Sequence, residues 1–245
     1  MNVLAIGDSL FAGTEGNKPC TKEQQWIGIL AKSGSWNFTN LAVAGQTVSF
    51  TQTINLANHY GVKSIWQALC CEQFYEYGTP LNFKMGSPDK TKKDEVNMIL
   101  LEGGPNDFGK GVPFENGANT PTTYSCFKGA YKMIIDHLLE EYPFACIVCV
   151  TPWQSNDTTT VQGYTRNQYY CDGLIHIIKE YYAGHKRVGV IDARNFVDVS
   201  DRSLAYDNFH LNPTGMQIMA SEMQPFIQQI INNDFKFSDD QLLTK

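Results

Sequence analysis

A hydroxyl between two glycines, a histidine three residues after an aspartate, and an asparagine closing an apolar run are the side chains best suited to chemistry here. Ser9 lies in Gly7-Asp8-Ser9-Leu10, with Gly13 close behind, a setting that can present its hydroxyl at a sheet edge. Asp207 and His210 lie in YDNFHLNPTG (206–215). Positions i and i+3 can approach in a turn, so Asp207 could hold the imidazole in the tautomer that leaves one nitrogen free for Ser9. A nucleophile, a base, an acid that orients the base and donors for an oxyanion are the parts of acyl transfer. The same loop also reads as an ordinary capping loop with a surface histidine. Local sequence leaves those two readings even.

Residues 101–111, LEGGPNDFGKG, also have two readings. Gly104, Gly109 and Lys110 have the G-x-x-x-x-G-K spacing of a phosphate loop. Alternatively, Asn106 is a side-chain donor held at a strand end and aimed at a developing negative charge. A phosphate loop needs Ser or Thr after the lysine and a helix that starts there. Here Gly111-Val112-Pro113 follows Lys110, which supplies no hydroxyl and opposes a helix. Pro105 removes a backbone N–H from the would-be cradle. Lys110 is then a solvated charge. G-x-G-x-x-G is absent, so a dinucleotide site has no support. G-x-S-x-G is absent too, which excludes the usual α/β-hydrolase nucleophile elbow.

The other histidines suit structural roles. His137 and His176 fall in helical stretches, and His185 follows a helix end, where a cation is favoured. His59 has no partner near it in sequence. Asp8 and Asp107 are expected to bond loop backbone as Asx turns do. Trp153 follows a strand and is expected to line the substrate pocket, whereas Trp66 suits core packing at least as well. Arg194 suits a surface salt bridge.

These residues need a scaffold that brings positions 9, 106 and 207–210 together. Apolar runs at 3–6, 38–43, 96–101, 145–150 and 187–192 read as strands. Helical periodicity covers about 21–33, 124–141, 167–183 and 213–232, the last with Asn212 as N-cap and Pro213 in the first turn. Strands that are apolar throughout and alternate with helices imply a parallel sheet covered on both faces. The expectation is an α/β fold: a three-layer α/β/α sandwich with a flavodoxin-like, five-stranded parallel sheet. Residues 1–245 are expected to form one domain with an insertion at about 46–93, where 64–76 reads as helix and SPDKTKKDE (87–95) as an exposed loop. The interval 108–123 reads as loop. Ligands of open parallel sheets sit beyond the carboxyl ends of the strands, where Ser9, Gly45, Asn106 and Trp153 all fall.

Bulk properties narrow the partners. A net charge of −6 and a pI near 5.3 leave no basic excess to neutralise phosphates, which argues against a nucleic-acid partner. No apolar run approaches the ~18–20 residues that cross a bilayer. Seven cysteines without regular spacing do not look like a disulfide framework and favour a reducing compartment. Cys146 and Cys149 form C-x-x-C, but within a strand their side chains point to opposite faces, so they cannot share a metal. The chain opens directly on VLAIGDS. The expectation is a cytoplasmic protein, or a secreted one whose leader has been removed.

Taken together, the motifs resemble the SGNH, or GDSL, hydrolase family. Gly7-Asp8-Ser9-Leu10 is similar to its first block, Gly45 in NLAVAG to the second, Gly104-Pro105-Asn106-Asp107 to the third (G-x-N-D), and Asp207-Asn-Phe-His210 to the last (D-x-x-H). The resemblance implies a flavodoxin-like sandwich, no cofactor, no metal and a two-step acyl-enzyme mechanism. It assigns Ser9 as nucleophile, His210 as base and Asp207 as the acid that orients it. The Ser9 N–H, the Gly45 N–H and the Asn106 amide become oxyanion donors. Members of the family deacylate sugars, lysophospholipids, thioesters and simple esters. The loops here are polar and aromatic (Asn116, Asn119, Thr122, Tyr124, Trp153, Asn156), and no long apolar stripe suggests a fatty-acyl tunnel. The expected partner is therefore a small-molecule ester or acylated glycan carrying a short acyl group, most simply acetyl. A lysophospholipase-type acylhydrolase and an inactive glycan-binding domain remain as alternatives. The oligomeric state is open.

Overall fold

The computed structural model describes residues 1–13, 20–50, 64–70, 75–76, 79–80, 90–153, 158–238 and 240–245. Among them the five expected strands are present: β1 (Asn2–Ile6), β2 (Asn37–Asn40), β3 (Met98–Leu101), β4 (Cys146–Val150) and β5 (Val188–Asp192). A sixth, β6 (Leu242–Thr244), adds to them. The order across the sheet is β2-β1-β3-β4-β5-β6, with every neighbouring pair parallel. This is the flavodoxin-like order with one extra edge strand.

The strands are apolar on both faces because helices cover both faces. Successive side chains alternate between the two sides of a strand. Val3, Ala5, Met98, Leu100, Cys146 and Val148 join one buried cluster; Leu4, Ile6, Ile99, Leu101, Ile147 and Cys149 join the other. The first layer is closed by α2 (Trp26–Gly34) and α7 (Pro213–Asn232), the second by α5 (Phe127–Glu141) and α6 (Gly173–Tyr181). Each fully buried Leu or Ile here contributes roughly 1.5–3 kcal/mol. Cys146 and Cys149 fall in separate layers, as their spacing requires, and burial raises both thiols, Cys146 to about 12.

The sixth strand corrects the expected count. It is three residues long and carries no apolar run, so no periodicity announces it. A polar anchor holds it instead. The side chain of Gln241 donates to the carbonyls of Tyr182, His185 and Val188 and accepts from the Gly184 N–H. Its own carbonyl accepts from the Val190 N–H.

Besides two antiparallel pairs, Tyr75–Glu76 with Thr79–Pro80 and Thr160–Val161 with Tyr164–Thr165, three short elements were not expected. The first is α1 (Ser9–Ala12), directly after β1. The second is α4 (Pro105–Gly109), with Pro105 in its first turn, where the missing N–H costs nothing. The third is a 3₁₀ turn at Gly117–Thr122, inside the interval read as loop. A π-helical stretch, Asn167–Asp172, leads into α6. Of the helix expected at 64–76, α3 (Ile65–Cys70) is described, but Tyr75–Glu76 is a short strand, and Lys90–Glu95 of the expected loop forms a 3₁₀ helix. Most of 46–93, with His59 and Cys71, lies outside the described residues, as does Asn156.

Candidate active site

Ser9 and Asn106 follow β1 and β3, which are neighbours in the sheet. The chain leaves β1 towards β2 on one side, while β3 lies on the other, so the two loops part at the point where the strand order reverses. A crevice opens at such a point, beyond the carboxyl ends of the strands.

Asp8 caps α1, its side chain accepting from the Leu10 N–H at 2.9 Å, and Gly13 closes the helix at φ 65°. Ser9 is the first residue of that turn and half-buried. Its Oγ lies 2.9 Å from Nε2 of His210. The other ring nitrogen, Nδ1, is 2.7 Å from Oδ2 of Asp207. Oδ1 of Asp207 accepts from the backbone N–H groups of Phe209 and His210, both at 2.7 Å. Partial burial raises the Asp207 carboxyl, but the bonds from the His210 ring and those two N–H groups outweigh it and hold the group below its ordinary range. It is therefore an anion facing Nδ1, which places the ring proton on Nδ1 and leaves Nε2 as an acceptor for the Ser9 hydroxyl.

The loop carrying Asp207 and His210 is fixed at both ends. Tyr206 N–H donates to the His210 carbonyl, Ala205 bridges Leu211, and Asn212 ties back to the Ser203 carbonyl while capping α7. Trp153 lies beneath this loop, 3% exposed, and its indole N–H donates to the Phe209 carbonyl. Trp153 therefore supports the loop and offers little surface to a substrate, which corrects the expected pocket-lining role. The Arg166 guanidinium sits between the rings of Phe108 and Phe209, 4.9 and 4.8 Å from their centroids. It links the Asn106 segment to the His210 segment. Nothing in the sequence singles it out.

Gly45 stands in a turn closed by the Gln46 N–H on the Val43 carbonyl, with φ 77°. A side chain would be strained at that φ. Among the described residues, the backbone N–H groups of Ser9 and Gly45 donate to no other group. Asn106 is in the first turn of α4, and both N–H bonds of its amide are engaged. One meets Oδ2 of Asp8 at 2.9 Å, the other the Gln46 carbonyl at 3.0 Å. Gly104, just before α4, has φ 133°, and a Cβ there would come within 2.6 Å of Tyr170. Only glycine lets the chain turn here against the Tyr170 Cβ and the Phe127 ring.

Asp8 makes the expected local bond, but Asp107 does not. Its carboxylate reaches across the site to the N–H groups of Val48 and Ser49, at 2.7 and 2.9 Å, and to the Ser49 hydroxyl. It clamps the segment that follows Gly45. Burial raises Asp107 to about 6 despite these donors. Lys110 is not merely solvated: its Nζ lies 3.3 Å from the Gly45 carbonyl. Arg194 pairs with Asp192 and Asp172, as expected for a structural salt bridge. His176 pairs with Glu180, one turn on in α6.

One acid beneath the site was missed. Glu102 closes β3, is 1% exposed, and accepts from the Asp8 N–H at 3.2 Å. An acid at the end of the run VNMILLE was the available signal.

Aromatic rings gather beside the Gly45 segment. Trp66 stacks on Tyr124 with centroids 4.0 Å apart, and Phe50 flanks both. Among the described residues, no helix is long and apolar enough to cross a membrane.

The sequence matches the GDSL-like lipase/acylhydrolase family over residues 5–218. No curated protein matches it. The fold is similar to that of a possible lipase from Chitinophaga pinensis (TM-score 0.62, 15% identity, 94% of this chain and 98% of the other). It is also similar to a family two carbohydrate esterase from Cellvibrio japonicus (TM-score 0.62, 17% identity, 94% of this chain and 61% of the other). A family two carbohydrate esterase from Clostridium thermocellum, in complex with cellohexaose, is comparable (TM-score 0.62, 17% identity, 94% and 64%).

Proposed function

Because the chain belongs to the GDSL-like lipase/acylhydrolase family, we propose that it is a serine esterase that removes a short acyl group, most simply acetyl, from a carbohydrate or another polar alcohol. The observation that carries this reading is the unbroken hydrogen-bonded line Ser9–His210–Asp207. Ser9 Oγ attacks the ester carbonyl while Nε2 of His210 takes its proton. Asp207 keeps the ring in the required tautomer and stabilises the imidazolium that forms. As the tetrahedral intermediate collapses, His210 returns the proton to the departing alcohol, leaving an acyl group on Ser9. Water then attacks that acyl group, giving its proton to His210, and Ser9 leaves with it.

The oxyanion takes hydrogen bonds from the Ser9 N–H, the Gly45 N–H and the Asn106 amide. The first two have no other acceptor among the described residues. The third becomes available when the oxyanion replaces the Gln46 carbonyl on one Asn106 N–H. The two backbone donors are already fixed and, among the described residues, free, and cost little reorganisation during the reaction. No metal or cofactor has a part in this scheme. Residues 1–245 act as one domain.

A short acyl group on a polar alcohol is favoured by the rings near the Gly45 segment, among them half-exposed Tyr124. The likeness to family two carbohydrate esterases points the same way. A fluorophosphonate should label Ser9 in the native protein and fail on Ser9→Ala. A hydrolysis screen over acyl lengths C2 to C12, with acetylated sugars alongside, should peak at C2. Absence of both labelling and ester turnover would point to a glycan-binding domain, and a peak at long chains to a lipase.

A further inference from the structure

Two carboxyl groups, those of Asp8 and Glu102, are buried side by side under Ser9 and Asn106, with 0% and 1% of their residues exposed. Among the described residues no Lys or Arg pairs with either. Asp8 is well supplied with donors: the Leu10 N–H on Oδ1 and the Asn106 amide on Oδ2. Glu102 is not. Its Oε2 accepts one long bond from the Asp8 N–H, and its Oε1 is buried with no hydrogen-bond partner. Two buried like charges in contact cannot both persist, and the one with fewer donors gives way. Other groups near the pair do not change that order. Asp107 adds a further negative neighbour to both, and the positive side of His210 acts on Asp8, not on Glu102.

We propose that Glu102 is a positioning residue held in its neutral, proton-bearing form, whose O–H donates to the Asp8 carboxylate and so keeps Asp8 an acceptor for Asn106. Asp8, together with the Gln46 carbonyl, then sets which way the Asn106 amide faces. With the carboxylate accepting, the NH₂ end points towards Asp8 and Gln46, and the second N–H, on the Gln46 carbonyl, is the one the oxyanion takes over. Were Asp8 neutral with its proton towards Asn106, the amide would either oppose that donor or turn its oxygen to it and lose the bond to the Gln46 carbonyl. Burial and the adjacent Asp8 charge push Glu102 well above the usual carboxylate range, and Asp8 itself is raised only to about 6. The consequence for turnover rests on Asn106 serving as an oxyanion donor; the protonation of Glu102 does not.

Two readouts test the idea on the full chain. Infrared spectra at pH 7 should contain the C=O stretch of a protonated carboxyl group that is missing in Glu102→Gln. In ester hydrolysis, Glu102→Gln keeps a neutral donor of the same shape and should retain kcat within about threefold. Glu102→Leu removes the donor and should lose more than about tenfold, with KM little changed. Asp8→Asn sets one amide donor against another and should lose about a hundredfold, the scale of one oxyanion donor. If the infrared difference shows no protonated carboxyl, the proposal is overturned whatever the kinetics. If the band is present but folded Glu102→Gln is as impaired as Asn106→Ala, a neutral donor at this position does not sustain the Asn106 amide, and the positioning role fails. Full activity in Asn106→Ala with the band intact would instead overturn the role given to Asn106 and leave the neutral Glu102 standing.

Discussion

Replacing Asp207 by Asn should invert the tautomer of His210. Oδ1 of Asp207 accepts two backbone N–H groups and Oδ2 faces Nδ1. An asparagine has one oxygen and one NH₂, and must choose. Placing the NH₂ at the Oδ1 position would oppose two N–H donors and lose two bonds, about 2–4 kcal/mol in all. Placing it against Nδ1 opposes only one donor, and the ring can relieve that by moving its proton to Nε2. The second arrangement wins. Nε2 then donates to Ser9 Oγ, now 2.9 Å away, and cannot take its proton. The expected loss in kcat/KM for p-nitrophenyl acetate is on the order of 10⁴, about 5.5 kcal/mol at 1.36 kcal/mol per decade. Ser9→Ala sets the floor of the assay, and a thermal melt within a few degrees of the parent shows that the loop is still folded. Activity of Asp207→Asn within tenfold of the parent would refute the tautomer argument, because the two backbone bonds leave the amide no other orientation.

Asn106→Ala should reduce kcat by roughly 10²–10³, about 3–4 kcal/mol, measured with the same ester. Asp107→Asn must turn an NH₂ towards either Val48 or Ser49, and should lower stability by about 2–3 kcal/mol in chemical denaturation. Because burial raises Asp107 and Asp8 to about 6, their contribution to stability is full below the ordinary Asp range near pH 4 and is lost as pH rises through 6. Melting temperature should therefore fall between about pH 4 and 6 and level off above, and fall less steeply in Asp107→Asn; a parent curve rising across that interval would contradict the shifts. Lys110→Ala removes one exposed bond to the Gly45 carbonyl and should cost less than about tenfold in kcat/KM, whereas a phosphate-loop lysine would be indispensable.

The scaffold was legible because its signals are local. Apolar runs at β1, β3, β4 and β5 have only one good place to go, between two helical layers, and Asn212-Pro213 marks the start of α7 without help from tertiary context. The four motif blocks were legible for the same reason, since Ser9, Gly45 and Asn106 each follow a strand and the Asp207–His210 pair lies in the loop before α7. What was hidden depends on partners far along the chain. Asp107 reads as a turn former, yet its acceptors serve residues 58 and 59 positions away. Trp153 stands at a strand end like a pocket residue, but its N–H answers the Phe209 carbonyl, 56 positions on. Strand β6 is held by the amide of Gln241, and a single polar side chain has no periodicity to detect. Arg166 acquires its place only when Phe108 and Phe209 converge on it.

The central sheet also works as a partition between two reporters. Cys146 and Cys149 belong to one strand yet face opposite helical layers, and neither is exposed. A thiol reagent can reach Cys146 only when the α2–α7 side opens, and Cys149 only when the α5–α6 side does. Residue-resolved labelling rates in the native protein would thus give a separate opening free energy for each face of the same five-residue strand. Equal rates would mean that the two layers open together as one cooperative unit, and unequal rates would identify the weaker one without any engineered probe.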